Sequence, residues 1–113
     1  MVLKFRDDRN WKQFHNPKDL ALSLTLEAAE LLEVFQWSGA DLGCEGKLSK
    51  IEEELADVIS YCILMADACQ LDIDHIVQKK VRKNAEKYPV ELSYGNSAKY
   101  TQLKQQSRSR KED

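Results

Sequence analysis

The sequence predicts an all-α chain, a helical bundle completed by homo-oligomerisation. Turn punctuation is sparse, since 4 glycines and 2 prolines in 113 residues favour long helices over a many-stranded β fold. Two stretches, Leu20 to Trp37 and Ile51 to Gln70, carry apolar residues at helical spacing. Three long helices are few for a self-contained core, so further copies of the chain are expected to complete it.

The leading segment, Lys4 to His15, carries Phe5, Trp11 and Phe14 and reads as a short helix ending at Asn16-Pro17. There Asn16 can cap and Pro17 can take the first helical position. The first long helix then runs to about Trp37. The loop SGADLGCEGKLS follows, with three of the four glycines. Ser49 is a plausible N-cap for the second helix, because Ser49-x-x-Glu52 matches a capping box; that helix extends to about Gln70. Asp72 can cap a third helix, which runs to about Lys87 and stops before Pro89. Gly95 to Leu103 reads as irregular. The polar, apolar-poor end reads as a disordered tail. The expected organisation is one domain over 1–103 and a tail over 104–113, with no solenoid repeat.

Composition narrows the function classes. The chain is 42% hydrophobic and 32% charged, with 19 acids against 17 bases, so no basic excess marks a duplex nucleic-acid surface. Cys44, Cys62 and Cys69 fall in no CxxC or zinc spacing, and an odd number argues against a disulfide framework. Cys62 and Cys69 read as small core residues. A reducing cytoplasm fits this usage. The opening MVLKFRDDRN has no signal-peptide h-region. Glutamates interrupt Leu20 to Trp37 too often for a membrane span.

Those glutamates are the informative feature. At about 100° per residue, Glu27 and Glu30 lie about 60° apart on a helix that is apolar nearly all round. Glu27 falls between Leu31 and Val34, and Glu30 between Ser23 and Trp37. The second helix repeats the arrangement. Glu54 and Asp57 stand at i, i+3, Glu53 and Asp57 at i, i+4, and Tyr61 one turn beyond. Glu33 falls on another face and receives no catalytic role. Acid pairs at this spacing also occur on solvated faces, and acids near a helix start complement its dipole. For Glu27 and Glu30 the apolar neighbours weaken that reading. Their helix has no lysine or arginine after Lys18, and acids from a second helix add repulsion. A hard divalent cation such as Mg²⁺ resolves the conflict. A di-iron bundle expects Glu-x-x-His, and neither His15 nor His75 follows a glutamate by three.

Glu27-x-x-Glu30, 23 residues, then Glu54-x-x-Asp57 resembles the metal-binding signature of the MazG-like all-α nucleoside triphosphate pyrophosphohydrolases, most closely their dCTP pyrophosphatase branch. The resemblance covers nearly the whole chain. FRDDRNWKQFHNPKDLAL is similar to the branch's N-terminal segment, and EAAELLEVFQW and EEELADVISYCILMA to its two metal helices. KKVRKNAEKYP is similar to its third helix and GNSAKYTQL to its C-terminal strip.

The resemblance implies a MazG-like bundle and Mg²⁺ held by Glu27, Glu30, Glu54 and Asp57 as metal-binding and catalytic residues. It assigns Glu54, not Glu53, to the second pair. It implies substrate contacts from Trp11, Lys12, Gln13, Phe14 and His15, from Trp37 and Tyr61, and from the third-helix positions Lys80, Asn84 and Tyr88. Trp11 and Trp37 offer flat apolar faces to a base or deoxyribose. The implied reaction is hydrolysis of a deoxynucleoside triphosphate, dCTP or a modified dCTP, to the monophosphate and pyrophosphate, as nucleotide-pool house-cleaning by a homodimer or homotetramer. The general base stays open among Glu27, Glu30 and, through a water, Glu53. The pattern departs from the family in one place: relatives carry a longer leading helix with a histidine contact near where Val2 falls, which bears on base selectivity and not on the metal site. The competing reading is an inactive helical oligomerisation or regulatory module of the same fold.

Overall fold

The computed structural model describes residues 1–96, and these divide into two compact units, Met1–Asp72 and the part from Ile73 onward. Among the described residues there are helices and no strands, as the sparse glycine and proline predict. The first unit holds α1 (Val2–Asp8), a 3-10 turn (Trp11–Phe14), α2 (Pro17–Glu33) and α3 (Leu48–Ala68). The second holds α4 (Ile73–Lys87) and the single turn α5 (Val90–Ser93). The expected irregular stretch from Gly95 and the polar tail lie largely outside the described residues.

The start of α2 follows the sequence signal. The Asn16 side chain accepts a hydrogen bond from the Asp19 backbone N–H at 2.9 Å, and Pro17 occupies the first turn. Its end comes earlier than expected, at Glu33 rather than Trp37. Val34, Phe35 and Gln36 instead donate to carbonyls three residues back, a tightening 3-10 tail. The following loop is tied to that tail. Lys47 Nζ pairs with Asp41 at 2.7 Å and lies 5.9 Å from the Phe35 ring centroid.

The same lysine displaces the expected cap of α3. The helix begins at Leu48 with Lys47 in the N-cap position, and no side chain caps it, so Ser49 sits inside the first turn. At the other end α3 closes in a Schellman motif. Gln70 N–H donates to the Asp67 carbonyl at 3.1 Å, and Leu71 N–H to the Ala66 carbonyl at 2.8 Å. Gln70 adopts φ 55 to allow this, a left-handed conformation that glycine enters more easily.

In the first unit α2 packs along α3, and α1 rests on α3 and the 3-10 turn. Leu20, Leu64 and Ala66 are the buried hydrophobic residues among those described. Two expectations are corrected here. The first long helix is not enclosed, for Leu22, Leu26 and Leu32 are 56%, 65% and 71% exposed. Cys62 and Cys69 are exposed and not core residues. Both misreadings have one cause: α3 is the principal packing partner of α2, so among the described residues of the first unit one flank of each helix lacks cover.

Candidate functional site

Glu27 and Glu30 stand one turn apart on α2, and Glu54 and Asp57 one turn apart on the facing α3. Packing of the two helices brings one carboxylate oxygen from each within 4.8 Å of all the others. Glu54 is 7% exposed and Glu27 is half-buried, while Glu30 and Asp57 reach solvent. Glu27 Oε2 and Glu54 Oε2 are buried with no hydrogen-bond partner. Buried carboxylate oxygens without a donor are costly. The surroundings respond by favouring a proton: the Glu30 carboxyl is raised from 4.5 to about 7, first by its hydrogen bond to Glu27, then by that to Glu54, then by the Glu27 charge. All-oxygen donors from four carboxylates, two of them with orphaned buried oxygens, suit a hard divalent cation. The cluster could therefore hold a metal ion.

One cation of the chain already offsets this charge. Lys50 Nζ lies 3.0 Å from Glu54 Oε1 and 3.5 Å from Glu53 Oε2. The second helix thus brings relief as well as repulsion, contrary to the sequence reading. Lys50, Glu33 and Val34 line a cleft of about 490 Å³ together with Glu30 and Glu54. Sequence reasoning missed all three. Lys50-x-x-x-Glu54 is an i, i+4 spacing that signals a contact. Glu33, three residues beyond Glu30, is only about 60° from it on the wheel.

The other first-unit residues singled out in the sequence do not line the acidic cleft. Trp11, Lys12, Gln13 and Phe14 form the 3-10 turn, and His15 follows it. Trp11 meets Phe5 edge to face at 5.9 Å, and Gln13 Nε2 donates to the Asn10 carbonyl at 3.0 Å. Lys12 and His15 line a separate cleft of about 200 Å³ with Arg6, Pro17, Asp67, Ala68 and Gln70. His15 Nδ1 is buried there without a partner. Trp37 stands in the turn after α2 and is 89% exposed. Tyr61 is half-buried on α3. Neither is among the residues lining the acidic cleft. In the second unit Lys80 is exposed on α4, and Asn84 and Tyr88 are half-buried.

The chain matches the model of the MazG-like family over residues 22–103. It is 41% identical over 105 residues to dCTP pyrophosphatase 1 of Rattus norvegicus, with 88% of this chain and 62% of the rat protein covered. Identity to dCTP pyrophosphatase 1 of Homo sapiens is 37% with the same coverage. The chain thus spans less than two thirds of the length of these relatives. A solved pyrophosphatase from Archaeoglobus fulgidus superimposes with a TM-score of 0.72 at 38% identity, covering 78% of this chain and 85% of that one.

Proposed function

The chain belongs to the MazG-like family, and from that premise we propose that it is a Mg²⁺-dependent nucleoside triphosphate pyrophosphohydrolase. Its substrates are deoxynucleoside triphosphates, dCTP or modified dCTP first among them, and its products are the monophosphate and pyrophosphate. Its role is house-cleaning of the nucleotide pool in the cytoplasm. The names of the rat and human relatives support the substrate. The observation that carries the proposal is the cluster of Glu27, Glu30, Glu54 and Asp57, with oxygens within 4.8 Å of one another.

In this reading those four carboxylates hold Mg²⁺. When bound, the ion neutralises phosphate charge and orients the leaving group. The residues of the chain do the rest. Glu27 and Glu54 supply the buried oxygens that lack another partner. Trp11, Phe14 and Trp37 give flat apolar faces to the base, while Lys12, Gln13, His15 and Tyr61 offer polar contacts. The resemblance to the family adds Lys80, Asn84 and Tyr88 of α4 and its end as further proposed nucleotide contacts. The family match runs across residues 72 and 73, which supports treating 1–103 as one MazG-like domain. No helix among the described residues is long and apolar enough to cross a membrane.

The test is pyrophosphate release from each deoxynucleoside triphosphate, 5-modified dCTP included, with and without Mg²⁺. Metal-dependent release, greatest with a cytidine nucleotide, is expected. No release from any of them overturns the reading.

A further inference from the structure

A part-buried ion pair, centred on the buried Arg6, joins the carboxylate frame to the Trp11–His15 segment, and nothing proposed above uses it. Arg6, in the middle of α1, is 5% exposed. Its Nη1 donates to Asp67 Oδ2 on α3 at 2.6 Å, and its Nε donates to Asp7 Oδ1 at 2.8 Å. A guanidinium is expensive to bury and stays buried only where its partners are held in good geometry. The Asp7 bond orients the guanidinium within α1, and the short, directional charge-assisted bond to Asp67 fixes where α1 sits on α3 more tightly than an apolar contact would.

What α1 then holds is Trp11. Phe5 contacts the Trp11 ring edge to face with interplanar angle 74°. The Arg9 guanidinium lies 3.6 Å over the Phe5 ring and 5.9 Å from the Trp11 ring. Arg9 Nη1 also donates to the Phe5 carbonyl at 3.0 Å, which restrains the stack from the backbone side. Arg6 and Asp67 share the walls of one cleft with Lys12 and His15, so the ion pair and the segment are direct neighbours. Asp67 lies on the helix that carries Glu54 and Asp57. One continuous chain of contacts therefore runs from the carboxylates along α3, through Asp67 and Arg6 to α1, and through Phe5 and Arg9 to Trp11.

We infer that Arg6 and Asp67 are positioning residues: their ion pair sets where the Trp11–His15 segment stands relative to the carboxylates, and so sets nucleotide affinity without touching the nucleotide. The inference rests on the reading that this segment contacts the nucleotide. It predicts that breaking the pair weakens nucleotide binding while the carboxylate cluster, built by the α2 and α3 contact, still binds its ion.

The experiment compares Arg6→Met, Asp67→Asn and Arg6→Lys with the parent chain. Three readouts are taken: Mg²⁺ affinity, KM and kcat for dCTP, and Trp11 emission in a Trp37→Phe background without nucleotide. Arg6→Met and Asp67→Asn are each expected to shift Trp11 emission to the red and to raise KM roughly tenfold, as a displaced contact segment should. Mg²⁺ affinity and kcat are expected to stay within about twofold, the pattern of lost uniform binding. Arg6→Lys, which keeps the charge, should recover part of the KM. Unchanged emission and KM in both disrupting variants overturns the inference. So does a fall in kcat with KM unchanged, or loss of helical circular dichroism in both, which makes the pair a stability element. If the parent chain hydrolyses no nucleotide, the hydrolase reading fails by itself, and Trp11 emission with Mg²⁺ affinity still decides the coupling.

Discussion

Glu30 carries the clearest prediction at the level of single residues. Its carboxyl is raised to about 7 from an ordinary 4.5, chiefly by the hydrogen bonds to Glu27 and Glu54. Between those values the metal-free folded chain holds a proton that the unfolded chain has released. The stabilisation from this group is therefore whole below pH 4.5 and is lost as pH rises through 7. A Glu30→Gln chain should lack that decline in pH-dependent urea unfolding. A divalent ion must displace the same proton, so binding should release close to one proton per ion at about pH 6 and almost none by about pH 8.5. Isothermal titration in buffers of different ionisation enthalpy reads this directly, and a pH-independent proton count would contradict it. Lys50 makes the complementary case. Its ammonium sits 3.0 Å from Glu54 and competes with any bound ion. Lys50→Met should tighten Mg²⁺ binding about two- to fivefold, on the scale of one partly screened charge contact. Weaker binding would mean that Lys50 organises the site.

Helix ends show what could be read locally and what could not. The start of α2 was legible because Asn16 and Pro17 settle it within one turn of sequence. Its end was not, because no breaker stands between Glu33 and Trp37; it is set by a loop that folds back through Lys47, Asp41 and Phe35. The Ser49 capping box failed for the same reason, since the helix had already begun one residue earlier. The carboxylate pairs were legible because helical periodicity places them on facing stripes whatever the loop does. Lys50 was overlooked because a lysine beside three glutamates reads as a solvated helix start, and only its reach to Glu54 shows otherwise. The α3 terminus yields a stability prediction. Gln70 holds φ 55 in the Schellman motif. Gln70→Gly should raise unfolding free energy by about 0.5–1 kcal/mol in chemical denaturation, as relief of a left-handed non-glycine residue. A loss of stability would show that the Gln70 side chain contributes more than its backbone strain costs.

Across the whole molecule, exposed apolar area is the dominant feature. Leu22, Leu26 and Leu32 on α2 and Leu48, Leu55 and Ile59 on α3 are all between 44% and 71% exposed, beside a core of three buried hydrophobic residues among those described. Faces of this kind mark interaction surfaces. The expectation of a homodimer or homotetramer follows, and light scattering should return a mass of at least two chains. A monomer at micromolar concentration would contradict it and would leave the thin core unexplained. The expected fold class was legible in the sequence because few turn residues and long periodic runs leave little room for strands. The division at Asp72 was not, because Leu71-Asp72-Ile73 carries neither glycine nor proline to mark it.

In the proposed function the four carboxylates serve cleavage of a nucleoside triphosphate between its α and β phosphates. Phosphorus NMR of dCTP incubated with the protein and Mg²⁺ tests it most directly. The expected products are dCMP and pyrophosphate in equal amounts, with at least about 10²-fold slower turnover by Glu54→Gln at unchanged helicity. Orthophosphate with dCDP, or a Glu54→Gln chain as active as the parent, would contradict it.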